Sequence, residues 1–327
     1  MRPRLILGAL VVLAPASLLG ALATGSVAIE LGTLWRLLTQ PDAGVAYTLV
    51  FELRLPRALV AFAVGGLLAL AGALLQVLLR NPLADPYVLG VSGGAAVAAL
   101  LAILAGAASA MTGAAAFGGA IGSMLLVFGL SRVGSTPTSS RLLLTGAVVA
   151  AGWGACVSLL LIIAPAGQVQ GMLFWLLGDL SNARYPGAGW LVLALGLSAA
   201  WAIARSLNVL ARGEDTAAAL GENPARLRGT IYILAALLTA TAVTLAGSIG
   251  FVGLIVPHIL RLLGVTDYRM LLPGAAILGG SLVVVADTLA RTVAAPIQLP
   301  VGVLTALLGV PVFLFLLTRM ATREGNA

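Results

Sequence analysis

Long apolar runs separated by short polar or proline-containing connections make up most of the chain. About ten of these runs approach the roughly 20 residues that a membrane-spanning helix needs. They cover residues 5–25, 58–79, 89–106, 112–131, 141–165, 189–205, 230–247, 252–264, 271–291 and 301–319. The bilayer core offers no water to backbone groups, and the runs lack the alternation of a β-barrel, so they should be helices. The pattern predicts an all-α polytopic membrane protein with about ten transmembrane helices, in which residues 1–327 form a single transmembrane domain.

Composition and charge support this class and give an orientation. The chain is 61% hydrophobic and only 9% charged, which is more apolar surface than a soluble domain of 327 residues could bury. All eighteen basic residues are arginine, and they lie at the ends of the predicted spans. With both termini in the cytoplasm and the first helix retained, thirteen arginines lie inside, as the positive-inside rule requires. The five that lie outside are Arg36, Arg54, Arg57, Arg184 and Arg291.

Several kinds of chemistry are excluded by residues that the chain lacks. It contains no lysine, so it has no Walker A lysine for the phosphates of ATP. His258 is the only histidine, and one imidazole cannot assemble a protein metal site. The scattered arginines form no basic patch for nucleic acid. We therefore expect no cofactor in this chain, no enzymatic activity of its own, and lipid rather than nucleic acid as its surroundings.

Two pairs of charged residues lie near the external ends of predicted spans, and each pair allows a structural and a functional interpretation. Arg54 and Arg57 could be interfacial anchors or a cationic docking patch for a soluble partner, because guanidinium groups favour carboxylates. Asp287 and Arg291 are spaced to pair on one helix face. An intramembrane carboxylate could carry protons in a secondary transporter, but the neighbouring arginine favours a neutralised structural pair.

The largest polar interruption, residues 206–228, is predicted to form a cytoplasmic knob of two short helices. Glu214 and Asp215 suit the first turn of one helix, Gly221 suits its C-terminal cap, and Pro224 can open the second. A solvated loop is the alternative, but the apolar residues after Asp215 suit docking into a groove. Two glycine- and proline-interrupted segments, 81–96 and 247–261, also suggest two pseudo-related halves.

Several motifs in one register resemble the permease subunits of the ABC importers for iron–siderophores, haem and cobalamin. The motifs are R-L-P-R from Arg54, R-N-P-L-A-D-P from Arg80, G-V-S-G-G-A-A from Gly90, the segment Gly247–Arg261, D-T-L-A-R from Asp287, and the L-P-V-G and G-V-P-V-F runs after Gln298. The resemblance implies a homodimer with a central pathway lined by the fifth and tenth spans. It also implies a bacterial inner-membrane location and alternating access that moves a metal chelate from periplasm to cytoplasm.

The resemblance implies partners and roles for individual residues as well. Two ABC ATPase subunits, which hold ATP and magnesium, would grip the knobs, and a periplasmic substrate-binding protein would deliver the chelate. The residues that match these roles are Arg54, Arg57 and Arg291 for docking of the binding protein; Arg212, Gly213, Glu214, Ala217, Leu220 and Gly221 for ATPase coupling; and Asn81, Leu83, Ser139 and Ser140 for a cytoplasmic gate. Gln298 departs from the pattern, because many members of that family carry glutamate there.

Overall fold

The computed structural model describes residues 3–25, 27–39, 44–132, 139–181, 183 and 185–324, and every regular element in these ranges is helical. The α-helices, numbered α1 to α15 in chain order, are Pro3–Ala23, Leu31–Thr39, Val45–Tyr47, Leu55–Leu78, Val91–Leu104, Ser109–Ser131, Ser139–Ile163, Ala166–Leu176, Gly187–Ala202, Ala204–Leu210, Glu214–Ala219, Pro224–Ala246, Val252–Leu262, Tyr268–Thr292 and Val301–Glu324. A π-helical segment, Thr48–Arg54, joins α3 to α4, and a 3₁₀ turn, Pro86–Leu89, precedes α5. The all-helical class is confirmed.

Each of the ten predicted spans overlaps a helix, but not all of these helices are long. Six stretches of the described chain are long and apolar enough to cross a membrane: Pro3–Ala23, Val45–Leu78, Ser109–Ser131, Ser140–Ile163, Pro224–Ala246 and Tyr268–Thr292. Helices α9 and α10 meet at a bend of 58° and would give a seventh as one broken span. Helices α5, α13 and the part Val301–Phe315 of α15 are shorter. The count of ten therefore stays a prediction.

Helix α4 is the central helix of the bundle. In the stretch Val45–Leu78, 94% of the most apolar window is buried, and α4 contacts α14, α12, α13 and α9. Its sequence between Arg57 and Arg80 has no charged residue and is rich in alanine and glycine. Small residues let helix backbones approach closely, which drives helix packing where water provides no hydrophobic force.

Helices α4 and α14 run antiparallel with their backbones in contact. A Cβ atom built on Gly65 would lie 2.1 Å from the carbonyl oxygen of Gly279, and one on Gly279 would lie 2.5 Å from that of Gly65. The antiparallel pair of α4 and α14 defines two ends of the bundle, which are named here by the residues found there. At one, the arginine end, Arg57 of α4 meets Asp287 of α14. At the other, the knob end, α4 finishes beside the first turn of α14.

The two interrupted segments share a backbone feature. Gly90, with φ 72°, directly precedes α5, and Phe251, with φ 69°, directly precedes α13. The segments also touch, since a Cβ atom on Gly253 would lie 2.6 Å from Cδ of Pro86. This likeness supports the idea of two related halves, which stays a prediction.

The knob differs in one respect from its predicted form. Helix α11 begins at Glu214 and is followed by Gly221 at φ 86°, as predicted. Pro224, however, begins the long helix α12, where the Asn223 side chain accepts a hydrogen bond from the N–H of Arg226. The second short helix is α10, and the glycine between the two is Gly213, at φ 126°. The prediction was wrong because nothing interrupts the helix between Pro224 and the apolar run that follows, so both belong to α12.

Substitution of Gly65 by alanine tests the contact between α4 and α14. The new methyl group would meet backbone atoms that cannot rotate away, so we expect a loss of about 1–3 kcal/mol of stability, seen as a lower thermal unfolding midpoint. Gly118→Ala in α6 is the matched control, because a Cβ atom there meets open space. An equal fall in both variants would contradict the close contact.

Candidate functional site

A buried ion cluster joins α4 to α14 at the arginine end. Asp287 is 1% exposed, and its carboxylate accepts hydrogen bonds from Arg57, with Nη2 2.8 Å from Oδ1 and Nε 3.0 Å from Oδ2. Arg291, one turn further along α14, donates through Nε to Oδ2 at 3.1 Å. The predicted pairing of Asp287 with Arg291 is confirmed. Arg57 is an additional partner that lies 230 residues away in the chain.

Gln298, in the connection before α15, completes this cluster. Its Oε1 atom accepts a hydrogen bond of 3.0 Å from Nη1 of Arg57. The cluster thus holds two guanidinium groups, one carboxylate and one neutral amide. Because an amide stands at residue 298, one positive charge is left without a carboxylate in the cluster.

Arg54 is not bonded to Asp287 and reaches into the end of α1, where Arg291 also donates to the carbonyl oxygen of Ala21. Its guanidinium donates to the carbonyl oxygen of Leu22 at 2.7 Å and also to those of Ala23 and Val27. The last carbonyl groups of a helix lack intrahelical partners and carry partial negative charge. Arg54 therefore caps α1 and fastens it to the π-helical segment that leads into α4.

The three arginines predicted to dock a binding protein are thus engaged inside the protomer. Arg54 is 5% exposed and Arg57 is 9% exposed, and Arg291 is half-buried. Their guanidinium groups are directed inward because the carboxylate of Asp287 and the end of α1 supply internal acceptors. The docking role itself stays a prediction.

At the knob end, polar contacts hold the knob, residues 206–228, against two long helices. Asn208 donates to Oδ1 of Asp267 at 2.7 Å and accepts from the N–H of Tyr268 at 3.0 Å, which ties α10 to the start of α14. Arg228 in α12 pairs with Glu214 at 3.0 Å. Because these contacts reach α14 and α12 directly, the knob is an attached structural element and not a solvated loop.

The six predicted coupling residues divide into exposed and supporting positions. Arg212, Leu220 and Gly221 are exposed, and Leu220 has 66% of its surface open. Ala217 and Gly213 are buried beneath them, and Glu214 is half-buried in its ion pair. The knob therefore presents an exposed leucine and an exposed arginine, while contact with an ATPase stays a prediction.

The predicted gate residues lie at the same end of the bundle. Asn81 accepts a hydrogen bond of 2.9 Å from the N–H of Leu83 and thereby closes a tight turn after α4. Ser140 is exposed in the first turn of α7. The backbone of Ser139 begins α7, but its side chain lies outside the described part of the structure. The gate role stays a prediction.

Gln76, which was not among the predicted site residues, holds this turn against α13. Its Nε2 atom donates to the carbonyl oxygens of Ala84, Gly253 and Leu254 at 3.1–3.3 Å. Its Oε1 atom accepts from Arg261 of α13. One buried amide thus joins α4, the turn and α13. Its only signal in the sequence is that it is the one amide within an otherwise apolar run.

Comparisons with known proteins agree with this architecture. The model of the FecCD transport family matches residues 10–319. The hemin transport system permease protein HmuU of Yersinia pestis is 40% identical over 99% of this chain and 98% of its own length. The cobalamin import system permease protein BtuC of Halobacterium salinarum is 42% identical over 83% of this chain and 74% of its own. A solved inward-facing structure of a metal-chelate type ABC transporter, described as putative, superimposes with a TM-score of 0.85 at 30% identity and covers 97% of this chain and 99% of its own.

Replacement of Asp287 by asparagine tests the ion cluster. The change leaves two buried guanidinium groups without a counter-charge, so we expect a loss of about 3–5 kcal/mol and a marked fall in the unfolding midpoint. Asp215→Asn, at an exposed position of the knob, is the control and should leave the midpoint unchanged. A stable Asp287→Asn protein would show that the carboxylate is not structural.

The turn before α5 should make stability depend on pH through Asp85. Burial raises the pKa of this carboxyl group from 3.8 to about 6, although the hydrogen bond from the N–H of Tyr87 lowers it in part. Because the folded state favours the protonated form, ionisation between pH 3.8 and about 6 costs stability, and the full cost is present at higher pH. Asp85→Asn keeps the acceptor for the N–H of Tyr87. It should raise the free energy of unfolding at pH 7.5 by up to about 3 kcal/mol, seen as a higher unfolding midpoint. The gain should shrink as the pH falls to 4, and a gain independent of pH would contradict the assignment.

Proposed function

The chain belongs to the FecCD transport family, and from that membership we propose that it is the permease subunit of an ABC importer for a metal chelate such as haem or cobalamin. The observation that carries the proposal is the similarity to the hemin permease over 99% of the chain. The family is one of ABC transporter permease subunits, which are not enzymes themselves. Transport would therefore be driven by ATP hydrolysis on a separate subunit.

Two ATPase subunits are proposed to act through the knobs of two permease copies. The exposed Leu220 and the exposed Arg212, on either side of α11, suit an amphipathic groove on a partner. Asn208 bonds the knob to Asp267 at the start of α14, and Glu214 pairs with Arg228 in α12. Displacement of the knob would therefore reach the long helices, as alternating access requires.

A second copy of the chain is proposed to pack beside α7 and α15 around a central pathway. Helix α7 has only 11% of its most apolar window buried, and Leu144, Val148 and Ile162 are among its exposed residues. On α15, Leu307 and Leu314 are exposed as well. Apolar walls from two copies would bind a large chelate weakly, which suits a passage more than a storage site.

The direction is proposed to be inward across a bacterial cytoplasmic membrane, with both termini and the knob on the inside. The arginine bias supports this orientation. A periplasmic binding protein would deliver the chelate at the arginine end, opposite the knob. Asn81, Leu83, Ser139 and Ser140 would narrow the inner mouth. Siderophore transport is supported only by the resemblance of motifs, whereas the names of two relatives include hemin and cobalamin.

A proton-driven secondary transporter is not favoured by the geometry. Its proton carrier would be Asp287, but this carboxylate is bonded to both Arg57 and Arg291. Both of its oxygen atoms accept hydrogen bonds from guanidinium groups, so the carboxylate serves as a structural acceptor between two helices.

The knob provides the test of the function. Leu220→Glu should prevent co-purification with the ATPase subunit and abolish ATP-dependent uptake of haem or cobalamin into proteoliposomes, because it puts a charge into the proposed apolar contact. Val45→Glu, at a similarly exposed site in α3 near the arginine end, should retain co-purification. Uptake that needs neither ATP nor the ATPase would overturn the proposal, as would unchanged ATPase binding by Leu220→Glu.

A further inference from the structure

A small cavity lies at the knob end, beneath the turn that follows α4. Its volume is about 270 Å³, and it is lined by Gln76, Val77, Arg80, Pro82, Ala211, Arg261 and Tyr268. These residues come from α4, the turn, the knob, α13 and α14. The cavity is therefore the place where the predicted gate turn, the knob and two further helices meet.

Arg261 supplies a positive charge to this cavity without a neighbouring carboxylate. Its guanidinium donates to Oε1 of Gln76 and is hydrogen-bonded to the Tyr268 side chain, which are both neutral groups. Among the described residues, no carboxylate forms an ion pair with Arg261. A guanidinium has five N–H donors, so these two neutral partners leave most of them unmatched.

Arg80 brings a second positive charge to the same cavity. It adopts a left-handed backbone conformation with φ 49°, which is uncommon for a residue other than glycine and places the side chain at the cavity. Its Nη2 atom lies 4.0 Å from the position that a Cβ atom would take on Gly213 of the knob. Two guanidinium groups thus converge where no described acid neutralises them.

We propose that this cavity binds a small oxyanion of the phosphate class, held by Arg80, Arg261 and the hydroxyl group of Tyr268. Guanidinium groups match the oxygen atoms of phosphate with paired, charge-assisted hydrogen bonds. A bound anion would remove the cost of a partly buried, uncompensated cation. It would also bridge the turn, α13 and α14 beside the knob, and so stiffen the region that the proposed transport cycle moves. The binding itself does not depend on the proposed function.

A free anion fits the position better than a lipid headgroup. The cavity lies at the end of α4, which is surrounded by α9, α12, α13 and α14 and does not face the lipid along its length. Acyl chains attached to a headgroup in this cavity would have to cross the packed helices. An anion dissolved in the aqueous phase at the knob end can enter directly.

Binding of inorganic phosphate to the full-length protein tests the proposal. The protein would be placed in nanodiscs of zwitterionic phosphatidylcholine, and labelled phosphate binding measured by equilibrium dialysis at constant ionic strength. We expect saturable binding of one phosphate per chain, competed by sulfate and not by chloride. Binding should weaken at least about tenfold in Arg80→Gln, because a charge-assisted hydrogen bond is lost, and more in Arg261→Gln.

Controls separate this site from general charge effects and from misfolding. Arg269→Gln, at an exposed position one residue after Tyr268, should bind phosphate as the unchanged protein does. Arg80 is also exposed, so its variant keeps the test valid if Arg261→Gln fails to fold. Binding that does not saturate, or an equal loss in Arg269→Gln, would overturn the proposal. Loss of phosphate binding in nanodiscs that contain phosphatidylglycerol would assign the site to a lipid headgroup and overturn the choice of a free anion.

Discussion

The direct backbone contact between α4 and α14 is the constraint on which the rest of the bundle depends. At Gly65 and Gly279 no side chain separates the two helices, and Gly72 approaches Gly253 of α13 in the same way, with a Cβ position 1.9 Å from its carbonyl oxygen. Helices this close cannot slide past one another without a clash of backbone atoms. The spacing therefore sets the register that brings Arg57 level with Asp287.

Polar groups occur at the two ends of this contact and are chemically different. At the arginine end an ion cluster links the two helices, because Asp287 of α14 pairs with Arg57 of α4 and with Arg291. At the knob end the neutral side chain of Gln76 holds α4 to α13, through the carbonyl groups of Gly253 and Leu254 and through its bond with Arg261. Both sets satisfy polar groups that lipid could not. Between them, glycine residues let the backbones of α4 and α14 touch. A displacement of the knob, applied at the start of α14 through Asn208 and Asp267, thus acts on a helix that is firmly held along α4.

The sequence was a good guide to the helices and a poor guide to the partners of the charged residues. The apolar runs predict where the helices lie because the lipid environment requires long hydrophobic stretches. The pairing of Asp287 with Arg291 was predictable because both lie on one helix with a spacing of four residues. The contact of Asp287 with Arg57 and the capping of α1 by Arg54 were not, since these partners are brought together only by the packing of helices distant in the chain. The role of Gln76 could not be predicted for the same reason, since its acceptors lie in two other segments.

Burial of the three arginines also changes how docking at that end has to be understood. Arg54, Arg57 and Arg291 carry three positive charges, and Asp287 is the only carboxylate bonded to any of them among the described residues. Gln298 accepts a hydrogen bond from Arg57 but adds no negative charge. These three guanidinium groups therefore have one bonded carboxylate among them, and their hydrogen bonds are directed inward, to Asp287 and to the end of α1. If a binding protein docks at this end as proposed, direct contact with these guanidinium groups requires that a partner carboxylate compete with Asp287 or with the end of α1.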